Sequence, residues 1–346
     1  MKRILIFFSA LCLFATTNLL AGPPGDIEIL GRHIYKDKNV SFNGKQSCQD
    51  CHYPWAGFAD KTNLLNPYEN VVSTGADGIS KGGRNAPTSA YAGFSPLLDI
   101  VNGEWVGGLF WDGRADGSVL GDPLAEQAQG PPLNPVEMAM PDKESVIDMI
   151  KSSSYASLFK KVFGANAFSD VDDAYDNFGR AIAAYERSKE VSRFSSKYDV
   201  AKNTFTDAEN NGLAIFKQNC AVCHSMTVPE GAPAAVFTNY GYANIGVPEN
   251  PMVPGGPDLG LGSIVNDPDQ NGKFKIPTLR NIEFSPPYTH NGSFPTLLEM
   301  VSFINENSAY TPEVQENIDE RVGNMNLSES DIDDLISFLK TLTDNY

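Results

Sequence analysis

A mostly α-helical chain of two similar domains with long loops is predicted by three features of the 346-residue sequence. The pentapeptide Cys-x-x-Cys-His occurs twice, as Cys48-Gln49-Asp50-Cys51-His52 and Cys220-Ala221-Val222-Cys223-His224. The residues before each copy repeat at a constant offset of 181. Capped amphipathic helical patterns recur along the chain, whereas period-2 strand patterns are scarce.

The pentapeptide is the attachment signal for c-type haem. Its two thiols add to the vinyl groups of one haem, and the adjacent His becomes the proximal ligand of the iron. Zinc ribbons hold their cysteine pairs roughly 15–20 residues apart, whereas these pairs lie 172 residues apart and each has its own His. A structural disulfide would leave that His unexplained. Each domain is therefore expected to be cytochrome c-like and to carry one covalent haem, bound by Cys48, Cys51 and His52 or by Cys220, Cys223 and His224.

In the repeat, Asp26, Glu28, Gly31, Ile34 and Lys36 match Asp207, Glu209, Gly212, Ile215 and Lys217, and Tyr35 matches Phe216. This reads as a duplicated single-haem domain, with nine extra residues before the first motif. In the second copy, Thr206 and Glu209 form a capping-box pattern. Phe178, Ile182 and Tyr185 mark a helix within 172–188. Thr296 and Glu299 open another, with Leu297, Met300, Val301 and Ile304 inward, and Ser328 caps a last helix carrying Ile332, Leu335, Ile336 and Leu339.

Lys2 and Arg3, the apolar run Ile4–Ala15 and Leu19-Leu20-Ala21 read as a secretory signal over residues 1–21. Cys12 would leave with it, so the mature chain has no spare thiol. Export to the periplasm follows, because c-type haem is attached outside the cytoplasm. No later run has the length of a membrane span. An N-terminal haem domain over 22–199 and a C-terminal one over 200–346 are expected, with the last helix a candidate to pack back on the first domain. Signal removal takes the net charge from −17 to −19, because Lys2 and Arg3 leave and no acid precedes Asp26. Nucleic acid is thereby disfavoured as a partner, and a redox partner with a basic face suits the acidity. Residues 229–272 hold seven Pro with almost no periodicity. A loop of this kind is functional or disordered, and a cover for the second haem is the favoured reading.

Two of the four His are spent as proximal ligands. His33 reads as a surface or packing residue. His290, in Pro286-Pro287-Tyr288-Thr289-His290-Asn291-Gly292, reads equally as a haem-edge hydrogen-bond donor or a turn residue. With no second His evident for either haem, an open iron face is expected, and an open ferric iron binds peroxide. Peroxide activation also needs a group that takes a proton from one oxygen and returns it to the other. Glu137 is a candidate, since its Pro-rich apolar setting would raise its pKa; a solvated loop Glu is the bland alternative. Trp111 reads as core on its own, or as an electron relay if it lies between two haems.

These residues resemble the bacterial di-haem cytochrome c peroxidase and MauG superfamily over almost the whole mature chain. The resemblance rests on Gly83-Arg84-Asn85-Ala86-Pro87-Thr88, Phe110-Trp111-Asp112-Gly113-Arg114, the segment from Gln127 to Met138, Pro277-Thr278-Leu279-Arg280-Asn281 and Pro287-Tyr288-Thr289-His290-Asn291-Gly292, in that order. It implies a peroxide-binding haem on His52, with Gln127 and Glu137 as distal Gln and acid–base Glu, Trp111 between the haems, and an electron-transfer haem on His224. It also implies a calcium ion held by the Asn85 side chain and the Ser285 and Pro287 carbonyls. Two positions depart from the pattern. Asp77 stands where many members have a displaceable His, so the first haem looks open, as in the MauG-like branch. Ile304 stands where the second haem takes its sixth ligand, leaving Met300, Tyr310, Met325, the 229–272 loop or an open site.

A periplasmic, hydrogen-peroxide-dependent di-haem oxidoreductase is expected. Its electron donor is a small cytochrome c or a cupredoxin, or else a Trp of a partner protein. Asn244-Ile245-Gly246-Val247-Pro248 and Leu259-Gly260-Leu261-Gly262 also look like MauG-like members, including those associated with copper acquisition. A non-enzymatic di-haem carrier is the other class, though it would need no distal acid. A homodimer is left open.

Overall fold

The computed structural model describes residues 24–345. The expected signal segment, with Cys12, lies outside them. Eight helices carry the architecture: α1 (Asp26–Lys36), α2 (Pro123–Leu133), α3 (Lys143–Ser152), α4 (Ala156–Phe163), α5 (Val171–Glu186), α6 (Asp207–Asn219), α7 (Leu297–Asn305) and α8 (Glu329–Lys340). Among the described residues the strands are short: a hairpin of β1 (Asp99–Val101) on β2 (Glu104–Val106), and a pair of β3 (Tyr242–Ala243) on β4 (Phe274–Lys275). No helix among them is long and apolar enough to cross a membrane.

Local chemistry sets the helix ends. Thr206 with Glu209, Thr296 with Glu299 and Ser328 with Asp331 close capping boxes at α6, α7 and α8, satisfying orphan backbone donors at each start. Asp170 caps α5 by accepting from the Asp173 backbone N–H. In α1, Asp26 and Glu28 occupy the first turn and His33 and Lys36 the last, matching the helix dipole.

Two apolar cores result. The first gathers Leu30, Ile34 and Tyr35 of α1 with Phe178, Ile182 and Tyr185 of α5, and adds Ile147 and Phe159. The second gathers Leu213 and Phe216 of α6 with Ile332, Leu335 and Phe338 of α8. Thus α1 crosses α5 as α6 crosses α8. The repeated glycines sit at these crossings. A Cβ on Gly31 would lie 1.9 Å from the Ala181 carbonyl oxygen, and one on Gly212 1.9 Å from that of Asp334. Each pair of helices touches backbone to backbone, and only glycine permits it.

The halves interlock. Val236, from beyond the second motif, joins the first core. Arg280 is fully buried and binds Asp199 through two hydrogen bonds of 2.6 and 2.8 Å. Its guanidinium also donates to the Ala235 carbonyl and lies over Tyr91, Phe194 and Phe237. The last helix, α8, lies mainly on α6 and α7, and its Phe338 also stands edge-on to Tyr198. The residues beyond it reach the first half, with Asp344 accepting from Tyr91 Oη and the Ser195 N–H. The 229–272 loop is folded rather than loose. Its Asp258 pairs with Arg84 at 2.6 and 2.8 Å, and Arg84 also pairs with Asp112.

Gly31→Ala and Gly212→Ala are each expected to lower stability by about 2–3 kcal/mol through overpacking. Gly256→Ala, at a loop position with open space, should stay within about 1 kcal/mol of the parent. Equilibrium denaturation of the three variants checks this.

Candidate active site

The two motifs are held by the same scaffold. Ser47 and Asp50 cap the short Cys48–Cys51 helix, and His52 ends it. His52 Nδ1 lies 3.1 Å from the Phe58 carbonyl, and His224 Nδ1 3.1 Å from that of Phe237. A carbonyl only accepts, so each Nδ1 carries the proton and each Nε2 is left free to bind iron. Phe58 and Phe237 both adopt the left-handed conformation, at φ 61° and 55°, to present those carbonyls. Thr88 and Thr278 brace the adjacent turns by donating to the Gly57 and Val236 carbonyls, each at 2.6 Å. Burial pushes both imidazoles down, His224 to about 4, so both are neutral, as metal binding requires. The four cysteines are free thiols, and burial raises the pKa of each. Free thiol pairs beside neutral, oriented imidazoles fit covalent haem in both places.

The second motif opens on a large apolar cavity lined by Cys220, Cys223 and His224. Ala243, Ile245 and Val247 of the long loop line it as well, as the cover reading expects. Met300, Ile304 and Met325 line it too. Tyr310 does not; it is 41% exposed and stands edge-on to Phe294 and Phe303. Asn85, Trp111 and His290 form the wall toward the first half.

The first motif has a different neighbour. Glu137 lines a separate pocket with Phe110, Arg114, Pro131 and Asn134. Its Oε1 accepts from Asn134 Nδ2 at 2.6 Å. Burial pushes its carboxyl above the ordinary range, against the pull of that bond and of the Arg114 charge. Its backbone carbonyl accepts from Ala76 N at 2.8 Å, in the segment whose Thr74 carbonyl accepts from Gln46 Nε2, two residues before Cys48. Gln127 lies on α2, four residues before Pro131 and seven before Asn134, on the same helix face. It makes no side-chain hydrogen bond among the described residues. Asp77 is spent in its own exposed turn, accepting from Ile79 N, Ser80 N and Ser80 Oγ.

Trp111 is fixed between the halves. Its Nε1 donates to the Asn85 carbonyl at 2.9 Å, its own carbonyl accepts from Lys275 N at 2.8 Å, and its ring stands edge-on to His290 at 6.5 Å. His290 is 2% exposed, stacks on Phe274 and bonds Glu313 Oε1 at 2.5 Å through Nε2. Its Nε2 is thus engaged by Glu313, while the residue lines the cavity of the second motif. His33 is exposed and stacks on Tyr155. Asn85 is buried and donates to the Val71 carbonyl. Among the described residues its Oδ1 and the Ser285 and Pro287 carbonyls accept no hydrogen bond, and all three residues line the same cavity. Neutral oxygens of this kind suit calcium, whose shell of roughly six to eight oxygens would be completed by others.

Two buried ionisable groups carried no sequence signal. Lys275 donates its Nζ to the Gly107 and Tyr240 carbonyls, and burial pushes it down to about 7. Glu186 is 4% exposed with its Oε2 unpartnered, and burial pushes it up to about 8.

A helical pair of halves, each with a haem-binding motif on one scaffold, and a half-buried acid near the first of them fit a di-haem peroxidase. Residues 26–206 match the di-haem cytochrome c peroxidase family and residues 210–343 the cytochrome c family. The chain belongs to the di-haem cytochrome c peroxidase family, whose members are peroxide-dependent di-haem oxidoreductases. It is 36% identical to the methylamine utilization protein MauG of Paracoccus denitrificans, over 95% of this chain and 92% of that one. The diheme peroxidase BthA of Burkholderia thailandensis superposes with a TM-score of 0.79 at 28% identity, over 93% of this chain and 87% of that one. A MauG-like protein associated with microbial copper homeostasis gives 0.68 at 28% identity, over 93% and 91%.

Glu186 makes stability depend on pH. Below its ordinary pKa of 4.5 both states are protonated. Between that value and about 8 the unfolded chain ionises while the folded chain resists, so stability falls as pH rises and then levels off. Glu186→Gln should therefore gain thermal stability over the parent progressively across that window and show little difference at its acid end. Melting curves as a function of pH decide it.

Proposed function

We propose that this protein is an exported, periplasmic enzyme that takes up hydrogen peroxide at the His52 site and passes the oxidising equivalents toward the His224 site and an outside electron donor. The observation that carries this reading is the half-buried Glu137 carboxyl near the first motif, in a loop environment where Asp77 leaves no His to block the iron. When bound, the two haems supply irons that take up peroxide and carry electrons. Glu137 takes the proton from the near oxygen of peroxide and returns it to the departing one. Burial raises its pKa, toward the range in which a carboxyl both accepts and returns a proton. Gln127 orients the distal hydrogen bonds from the same helix face. Trp111, locked between the halves by its hydrogen bond to Asn85, is the electron relay. A calcium ion on Asn85, Ser285 and Pro287 stiffens that contact.

For the electron source, we favour a Trp side chain of a partner protein over a small cytochrome c or a cupredoxin. The support is the loop without a displaceable His, the identity to MauG and the likeness to a protein associated with copper homeostasis. A copper-binding protein is then the expected partner. The N-terminal residues 1–21 support export.

Glu137→Gln is expected to slow the reaction with peroxide about 10²–10⁴-fold while leaving both haems attached. Stopped-flow mixing with stoichiometric peroxide, read by optical and EPR spectra, measures it; unchanged kinetics would remove Glu137 from the chemistry. Reduced cytochrome c should turn over slowly under the same conditions, and rapid turnover would reverse the assignment of the donor.

A further inference from the structure

The second cavity contains few groups able to complete the coordination of an iron held by His224, and most of them are already engaged. His290 has its Nε2 on Glu313 and its ring stacked on Phe274. Tyr288 donates its hydroxyl to the Ile282 carbonyl. Asp319 is paired with Arg321. Lys275 donates to two carbonyls. Two thioethers remain, Met300 and Met325. Met300 lies on α7 and packs into the apolar cluster of Tyr288, Phe294 and Phe303. Met325 belongs to none of the packed apolar clusters.

The segment carrying Met325 is irregular yet firmly placed. Gly323 N donates to the Ile304 carbonyl at 2.9 Å and Met325 N to that of Asn305 at 3.2 Å. Asn305 then holds Leu327 through both its side-chain amide and its side-chain oxygen. Gly323 has φ 83°, and a Cβ there would meet Asn307 Oδ1 at 2.0 Å, so only glycine lets the segment seat this closely on the end of α7. Upstream, Asp319 N donates to the Asn244 carbonyl at 2.8 Å. A loop pinned on both sides thus brings one flexible sulfur-bearing side chain to the cavity wall without packing it elsewhere.

We propose that, with haem bound at the second motif, Met325 would join His224 as a protein ligand of its iron through the thioether sulfur. The sulfur donates a lone pair to the metal and no proton moves. Methionine–histidine ligation raises a haem's reduction potential. It also closes the second iron to peroxide and confines peroxide chemistry to the His52 site. The proposal rests on the haem assignment of the second motif, and it stands apart from the role given to Glu137.

The test uses the haem-loaded full chain. Ferric wild-type protein should show the near-infrared sulfur-to-iron charge-transfer band in optical and magnetic circular dichroism spectra. Met325→Leu should lose the band, gain a second high-spin ferric EPR signal and lower the potential of the more positive haem. Met300→Leu should keep all three features of the wild type. Met325→His, which restores a ligand of another kind, should return that haem to low spin without the sulfur band, showing that the fold survives substitution. A wild type without the band, a Met325→Leu variant that keeps it, or a Met300→Leu variant that loses it would overturn the assignment. Wild type that shows the band yet does not react with peroxide would overturn the peroxidase reading and leave the ligand in place.

Discussion

The buried ion pair between Arg280 and Asp199 is the contact on which the mutual placement of the two sites depends. Arg280 belongs to the turn whose Thr278 braces the second histidine scaffold, and Asp199 caps the short helix entering the second half. Breaking such a pair leaves an uncompensated buried charge, at a cost of about 3–5 kcal/mol. Here the guanidinium meets two carboxylate oxygens, a backbone carbonyl and three aromatic faces, so its desolvation is well compensated. The aromatic faces come from both halves, which makes the cation a rivet as well as a partner. Tyr91, one of those faces, carries Asp344 on its hydroxyl, and so the chain end is drawn into the same knot.

On this frame the duplicated halves keep one side of each site alike and let the other diverge. The proximal sides coincide in detail: a left-handed Phe presenting a carbonyl to the imidazole, a Thr bracing the turn, and a glycine at the helix crossing. The opposite sides share nothing. One has near it the Glu137 carboxyl, whose pKa burial raises. The other faces an apolar cavity walled by methionines, Ile304 and the long loop. A common proximal scaffold thus carries two different surroundings, which is the asymmetry the proposed division of labour draws on.

The region between the sites is rigid and densely bonded. Trp111 is tied through its indole and its backbone, and the neighbouring Arg84 joins Asp112 to Asp258 of the long loop. An electron relay gains from such rigidity, because little rearrangement then accompanies a change of charge. Lys275 sits in this region with a weakened hold on its proton. Its two carbonyl partners explain why a Lys is tolerated there at all.

Much of this molecule was legible in the sequence, and the reason is local. The haem motifs rest on covalent spacing within five residues, the helices on apolar period and caps such as Thr206 with Glu209, and the duplication on a constant offset. Order along the chain also marked Trp111, Gln127 and Glu137 through family resemblance. Local pattern could not say that the residues after α8 reach across to Tyr91 and Ser195, nor that the Pro-rich loop is clamped by Arg84. It left His290 between two readings, since Glu313 lies 23 residues away. For the second haem it left three named residues, the long loop or an open site, and only the cavity wall separates Met325 and Met300 from Tyr310. The sequence by itself determined what chemistry the chain carries and which segments hold it, because attachment and helix formation are short-range. Only the tertiary structure decided which carboxyls burial lifts in pKa, which methionine stays outside the packed clusters and how the halves meet, because burial and pairing arise between residues far apart along the chain.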